Sequence, residues 1–273
     1  MGGVFYAPGV VGEFLAGVGL LGRGIGMYAR SPRLVVLGII PALISGLVFL
    51  AAFATLIYFV SDLAELATWF ADDWSEGLRD AVQFLAAIGI LGLGGLIGVL
   101  TFTAVTLLIG DPFYEKISEM IEERFGGVPG EVEVPWWRSL RRSLWDSIRL
   151  IALSLAIGIP LFFLGLLPLV GQTVVPVIGA LVGGWFLALE LVGVPFFRRG
   201  LRLPDRRRIL AAHRPVALGF GVSVFVCFLI PLGAVLVMPA AVAGGTLLAR
   251  KVLGLPVDVP APTAQPAKDL RPR

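Results

Sequence analysis

The chain is poor in cysteine, histidine and charged residues. Its 273 residues include one cysteine and one histidine, and 15% of them are charged. With Cys227 as the only cysteine, an intrachain disulfide and a zinc site built on cysteine pairs are excluded. The lone histidine, His213, is interpreted as a surface residue, with a proton-coupling role as the alternative. Nucleophile triads, nucleotide-binding motifs and metal-ligand motifs are missing, so we expect neither an enzyme nor a cofactor.

Long runs without any charge dominate what is present. Hydrophobic residues make up 57% of the chain and its mean hydropathy is +0.91, whereas a soluble domain carries about 25% charged residues. A membrane-spanning helix needs roughly 20 apolar residues. Charge-free runs of 27, 30, 40 and 35 residues occupy 34–60, 81–110, 150–189 and 215–249. The sequence therefore predicts an all-α, polytopic integral membrane protein.

The four runs differ in how proline and glycine interrupt them. The first two predict two long spanning helices, with Pro41 as a kink in the first. The last two are broken near their middle by proline and glycine and predict two helical hairpins that cross the membrane or penetrate only part of it. Threonines within 81–110 are expected to bond to their own backbone carbonyls, with pore lining as the alternative. These are Thr101, Thr103 and Thr106.

Charge is distributed unevenly between the loops. Every arginine-rich loop falls on one predicted side of the membrane, and the acidic loop 61–80 falls on the other. The positive-inside rule then places both termini in the cytoplasm. The run 206–208 is three arginines beside a membrane segment, which indicates topology and not a nucleic-acid partner.

Three regions follow from these patterns. Residues 1–33 are a Gly/Arg-rich interfacial N-terminus, in which the repeated glycine argues against a strong helix. Residues 34–253 form a single membrane domain, in which 136–150 is an amphipathic interfacial helix. Residues 254–273 are a proline-rich tail that is expected to be disordered.

A junction between the second long run and a charged segment organises the middle of the chain. A membrane helix is predicted to stop at Gly110, and a second helix to begin with Asp111 as its N-cap and Pro112 at its first position. The new helix presents an apolar stripe, while its glutamates face water or neighbouring arginines. That stripe is Phe113, Ile117, Met120 and Ile121.

The best candidate for an anion site precedes the first spanning helix. An anion site needs positive charge and free N–H groups, and a helix N-terminus supplies the N–H groups. Arg30, Ser31 and Arg33 stand at that point and form the anion-binding hypothesis. The alternative is that these arginines set topology and bind lipid phosphate. Glu190, the one acid well within a long apolar region, is interpreted as half of a structural ion pair with an arginine of a neighbouring segment.

Four short proline-containing motifs follow one another between residues 12 and 253. In their order and spacing the chain resembles the CysZ-type sulfate permeases, which share a domain with the etoposide-induced 2.4 proteins. The motifs are Ser31-Pro32 with Ile40-Pro41, Asp111-Pro112-Phe113 with Glu119 and Glu122 behind it, Leu189-Glu190 with Pro195, and Ile230-Pro231-Leu232 with Met238-Pro239. Within the resemblance we interpret eight residues as structural, namely Pro41, Asp111, Pro112, Phe113, Glu119, Glu190, Pro231 and Pro239.

This resemblance implies a fold and a function. It implies partly penetrating hairpins beside two long helices, a homo-oligomer, and passive uptake of sulfate or a similar oxyanion through the bacterial inner membrane. The permeases carry a Gly-Leu-Arg-Arg sequence linked to sulfate binding, whereas this chain has Arg33-Leu34-Val35-Val36, with Arg30 and Arg33 as the nearest basic residues. A non-conducting membrane scaffold or bilayer-perturbing protein of the same family is the alternative.

Overall fold

The computed structural model describes residues 9–128, 136–230 and 232–258. In these ranges it contains ten α-helices, a short 3-10 helix at Trp69–Ala71 and no strand, so the all-α prediction is confirmed. The helices are α1 Val10–Ala29, α2 Pro32–Tyr58, α3 Val60–Ala67, α4 Glu76–Glu123, α5 Trp136–Gly165, α6 Val170–Leu191, α7 Gly193–Phe197, α8 Leu203–Ala212, α9 Arg214–Phe228 and α10 Gly233–Val252.

Six helices of the described ranges are long and apolar enough to cross a membrane, which confirms the polytopic class. They are α1, α2, α4, α6, α10 and the part of α5 from Ile148 to Gly165. The two long predicted helices correspond to α2, with 27 residues, and α4, with 48. Pro41 is buried inside α2 and does not end that helix.

Helix α4 continues through the predicted junction. Asp111 and Pro112 lie inside one uninterrupted helix, about 72 Å long at 1.5 Å per residue, so the prediction of an N-cap at Asp111 is wrong. Tertiary packing outweighs the local preference for a helix start at Asp111. An unbroken α4 buries Tyr114, Ile117 and Ile121 after Pro112. Proline is tolerated inside membrane helices, where neighbouring groups take up the freed backbone carbonyl.

Helix α1 is longer and better packed than its glycines suggested. It runs for 20 residues against α9 and α10, so the expectation of a short, weak helix is wrong, while the interfacial position of this segment stays a prediction. A Cβ at Gly17 would lie 2.8 Å from the amide nitrogen of Phe220, and one at Gly24 would lie 2.6 Å from that of Gly244. Here glycine is used for close helix contact, which compensates its low helix propensity.

Both predicted hairpins are present. Helices α5 and α6 are joined across 166–169, and α9 and α10 across 229–232. Leu169 and Leu232 take positive φ values of 69° and 62° at the two tips, a conformation that non-glycine residues adopt only where packing enforces it. Pro231, to which the sequence assigned a structural role, lies outside the described residues.

The α9–α10 hairpin reaches much less far than α4. Ser118 Oγ and Thr246 Oγ1 are 2.9 Å apart, and Glu122 pairs with Arg250 one turn further on. Both contacts join residues 128 positions apart, so α10 runs parallel to α4 and begins near the level of Val105. Beyond that level α4 continues for about 44 Å. The α9–α10 hairpin therefore enters only part of the thickness that α4 spans.

The core surrounds α10, at the end of the molecule where the arginines gather. Within an apolar stretch of 18 residues, 78% of the residues are buried in α10 and none in α4. Phe196, Phe220 and Leu247 are fully buried there. By contrast, Leu47 of α2 and Leu85 of α4 are 69% and 66% exposed, as expected for side chains that face lipid.

Candidate functional site

A buried carboxylate connects the ends of three segments. Glu122, in the last turn of α4, is fully buried. Arg199 Nη1, just after α7, donates to Glu122 Oε1 over 2.7 Å, and Arg250 Nη1, near the end of α10, donates to Glu122 Oε2. We call these three residues the Glu122 network. One carboxylate and two guanidinium groups give the network a net charge of +1.

Backbone carbonyls and an aromatic ring complete the network. Arg199 Nη1 also donates to the carbonyl of Pro195 over 2.7 Å, and Arg250 Nε donates to that of Pro256 over 2.8 Å. The Arg250 guanidinium lies 4.6 Å from the centroid of the Phe125 ring, within the range of a cation–π contact. The Nη2 atom of Arg199 is buried and has no acceptor within the described ranges, which leaves one donor available.

The local sequence of α4 explains why Glu122 is buried. The buried stripe after Pro112 falls at spacings of 3 and 4 residues, on one helix face. It consists of Tyr114, Ile117, Ser118, Ile121 and Glu122. Of the predicted stripe, Ile117 and Ile121 are buried and Met120 is half-buried against the core, while Phe113 is half-buried. The sequence signal was the pair Ser118 and Glu122, polar residues interleaved with Ile117 and Ile121.

The main role of the Glu122 network is to hold the packed helices together. A buried ion pair gains little net stability over apolar packing, but loss of one partner leaves an uncompensated charge. The network joins α4 to α10 and to the loop after α7, which fixes the basic end of the molecule. Its excess of one positive charge also makes this end attractive to anions.

The predicted anion-binding residues lie at the turn between α1 and α2. Arg30 follows α1 as its C-cap, Ser31 is the N-cap of α2, and Arg33 is in the first turn of α2. Both arginines are exposed, and the Ser31 side chain makes no capping bond within the described part of the chain. The first intrahelical bond runs from the Val35 amide to the Ser31 carbonyl over 3.1 Å, so the amides of Arg33 and Leu34 precede it. We call Arg30, Ser31 and Arg33 the α2 start.

Glu190 differs from the buried carboxylate that its apolar surroundings suggested. It is exposed, in the last turn of α6, and its proposed ion pair stays a prediction. Glu122 is the buried acid instead, and sequence reasoning placed it only on a water-facing helix. The reason is that helix α4 extends past the membrane run and packs its end against α10.

The remaining family-motif residues have varied surroundings. Pro239 is buried in α10, where a Cβ added to Gly38 of α2 would lie 2.7 Å from its ring. Asp111 and Pro112 are exposed on α4. Glu119 accepts a hydrogen bond from Lys116 over 2.5 Å at the surface. Pro239 therefore makes a packing contact between helices, whereas Asp111, Pro112 and Glu119 lie at the surface of the described chain.

The side-chain hydroxyls of α2 and α4 differ in whether they have a hydrogen-bond partner. Thr101 donates to the carbonyl of Ile97 over 2.7 Å, which confirms the backbone bond predicted for it. Thr106 of α4 and Ser45 of α2 are fully buried, and neither hydroxyl has a partner among the described residues. The backbone bond predicted for Thr106 is therefore wrong. His213 is exposed, as predicted for the lone histidine.

Exposed apolar helices, two hairpins and a basic end define a polytopic helical membrane protein. The sequence profile of the family described as Sulfate transporter CysZ/Etoposide-induced protein 2.4 matches residues 20–239. The chain belongs to this family, as the proline-containing motifs predicted.

Three relatives show how far the similarity extends, and each is named as a sulfate transporter CysZ. The protein of Pseudomonas paraeruginosa is 29% identical, over 85% of this chain and 94% of its own length. That of Pectobacterium atrosepticum is 28% identical over 64% of this chain, and that of Pseudomonas fluorescens 33% identical over 54%. The chain spans less than two thirds of the last two, with 63% and 60% of their lengths covered.

Proposed function

We propose that the chain lets sulfate, or a similar oxyanion, pass through the membrane passively. Support comes from the family and from relatives that are named as sulfate transporters. The sequence carries no nucleotide-binding motif, which favours movement down a gradient over a self-contained ATP-driven pump.

The single observation that carries the proposal is the chemistry of the α2 start. Two exposed guanidinium groups, an uncapped hydroxyl and the first amides of α2 stand within four residues of each other. Guanidinium groups bind oxyanions through charge-assisted, often bidentate hydrogen bonds. The positive end of the helix dipole adds to this attraction. A tetrahedral dianion fits such a set of donors, and exposure lets it arrive from water and leave again.

Radiolabelled sulfate uptake into proteoliposomes tests the role of the α2 start. Arg30→Gln with Arg33→Gln should raise the sulfate concentration for half-maximal flux by at least about tenfold, because two charge-assisted hydrogen bonds are lost. The matched control is Arg124→Gln with Lys251→Gln, which removes the same charge from exposed positions. Equal flux parameters in the wild type and both double variants would refute this site.

Assembly and orientation belong to the same proposal. We infer a homo-oligomer in the bacterial inner membrane with both termini in the cytoplasm. The most apolar 18-residue stretch of α4 has no residue buried by the described part of the chain, so we expect lipid and neighbouring copies to cover it. Light scattering on the detergent-solubilised chain should give a protein mass above 29.1 kDa. A monomer mass in detergent and in nanodiscs would contradict the oligomer.

A further inference from the structure

A basic cavity of about 540 Å³ lies where α8 turns into α9. The two helices meet there at an angle of 107°. Trp185, from α6, lines the cavity as well. We call this cavity the basic pocket, and its other lining residues are Arg207, Arg208, Ala211, Arg214 and Leu218.

The arginines of the basic pocket have no acidic partner among the residues that the structure describes. Within the described ranges none of the three makes a hydrogen bond or an ion pair, in contrast to the arginines of the Glu122 network. The nearest acid along α8, Asp205, accepts a bond from the backbone amide of Arg202. Three exposed guanidinium groups around one cavity therefore present a strong, unbalanced positive charge.

An exposed apolar stripe on α6 leads away from the basic pocket. Positions 174, 177, 178, 181 and 185 fall on one helix face at spacings of 3 and 4 residues. The four aliphatic residues, which we call the α6 stripe, are between 39% and 59% exposed. They are Val174, Val177, Ile178 and Leu181. From Val174 to Trp185 the stripe is about 16 Å long, close to half of the roughly 30 Å hydrocarbon core.

Contacts between helices place the basic pocket at the membrane surface. A Cβ at Gly245 would lie 2.7 Å from the carbonyl oxygen of Leu191, and the next residue, Thr246, bonds Ser118 of α4. Leu191 is therefore near the level of Ser118, and Trp185 lies six residues, or about 9 Å, closer to the tip of the α5–α6 hairpin. That level coincides with the end of the charge-free run of α4, where we expect the headgroups to begin.

We propose that the basic pocket binds the phosphate of an anionic phospholipid headgroup, with an acyl chain along the α6 stripe. Guanidinium groups bind phosphate through paired charge-assisted hydrogen bonds, and tryptophan is favoured at the level of headgroups. Basic pockets between membrane helices are known to hold anionic headgroups. A free phosphate or sulfate ion would contact only the three arginines, whereas a phospholipid would contact both the arginines and the α6 stripe.

The test is native mass spectrometry of the detergent-solubilised full chain with added lipid. Dioctanoyl phosphatidylglycerol should be retained and dioctanoyl phosphatidylcholine should not. Arg208→Gln with Arg214→Gln should weaken retention by at least about tenfold. The control, Arg124→Gln with Lys251→Gln, should retain the lipid like the wild type. Equal retention of the two lipids, or equal retention by both double variants, would overturn the proposal.

A competition measurement on the wild type separates the two sources of phosphate and does not depend on a variant that folds. Glycerol phosphate and inorganic phosphate share the headgroup chemistry but lack acyl chains. They should displace the lipid only at concentrations far above that of the lipid itself. Displacement at equal concentrations would assign the basic pocket to a free anion and overturn the lipid. The sulfate proposal is tested by flux through the α2 start, so failure of one proposal is distinguishable from failure of the other.

Discussion

At the scale of single residues, Glu122 holds two arginines from distant parts of the chain. Arg199 and Arg250 are both largely buried, with side chains 11% and 3% exposed. Glu122 therefore supplies one carboxylate oxygen to each of these two buried guanidinium groups.

Glu122→Gln should destabilise the folded chain by about 3–5 kcal/mol, because the neutral amide leaves two buried guanidinium groups without a counter-charge. Thermal unfolding in detergent, followed by circular dichroism, measures the change. The matched control on the same helix is Glu119→Gln, whose ion pair with Lys116 is at the surface and should matter little. If both variants unfold at the same temperature as the wild type, the Glu122 network does not stabilise the fold.

The sequence predicts which residues could bind an anion better than it predicts how deeply a residue is buried or what it contacts. The arginines of the α2 start are predictable because a charge next to a helix start is a local pattern. The role of Glu122 depends on contacts with residues 77 and 128 positions away, and no local pattern contains those. Glu190 follows a long apolar run, which favours a buried acid, yet it is exposed at the end of its helix.

At the scale of helices, close packing on glycine joins α1 to the core. A Cβ at Gly219 of α9 would lie 2.8 Å from the carbonyl carbon of Phe14 in α1. Gly22 of α1, in contrast, has open space where a Cβ would be. The two positions therefore separate glycine that is needed for contact from glycine that is not.

Gly219→Ala should lower the stability of the chain by about 1–3 kcal/mol, since the added methyl group forces α1 and α9 apart. Gly22→Ala should leave stability unchanged or raise it by up to about 1 kcal/mol, because alanine favours the helix. Thermal melts of the two variants under identical detergent conditions make the comparison. Equal destabilisation by both would show that α1 does not pack on α9 as described.

Helix α4 shows where prediction of elements failed and why. Asp111-Pro112 is a strong local signal for a helix start. The helix nevertheless continues through it, because packing of the residues after Pro112 stabilises an unbroken helix. The two hairpins were predicted correctly, since runs of 40 and 35 apolar residues with central prolines leave few other arrangements. Their depth was not predictable, because it depends on the register between α10 and α4.

Labelling of single cysteines tests that depth. In a background with Cys227→Ala, an impermeant maleimide applied to intact cells should label Ser75→Cys, in the predicted outer loop before α4. It should not label Leu232→Cys at the tip of the α9–α10 hairpin, which the register places inside the bilayer. Label on Leu232→Cys at the rate of Ser75→Cys would show that the hairpin crosses the membrane. An unlabelled Ser75→Cys that reacts only after lysis would reverse the proposed orientation.

At the scale of the whole molecule, polarity divides the chain into two ends. The Glu122 network and the arginine-rich segment 198–214 meet at one end, and the acidic residues before α4 lie at the other. Between them, α2 and α4 expose apolar side chains over most of their length. This arrangement suits a protein that gathers anions at a basic surface and sits in lipid through long helices.

Uptake of radiolabelled sulfate by proteoliposomes that contain only the purified wild-type chain tests the account most directly. We expect uptake to follow the sulfate gradient without ATP, to persist when ionophores dissipate proton and sodium gradients, and to be reduced more by unlabelled sulfate than by chloride. Uptake no faster than in protein-free liposomes would contradict sulfate passage and favour a non-conducting membrane scaffold. Uptake that vanishes with the ionophores would contradict the passive mechanism.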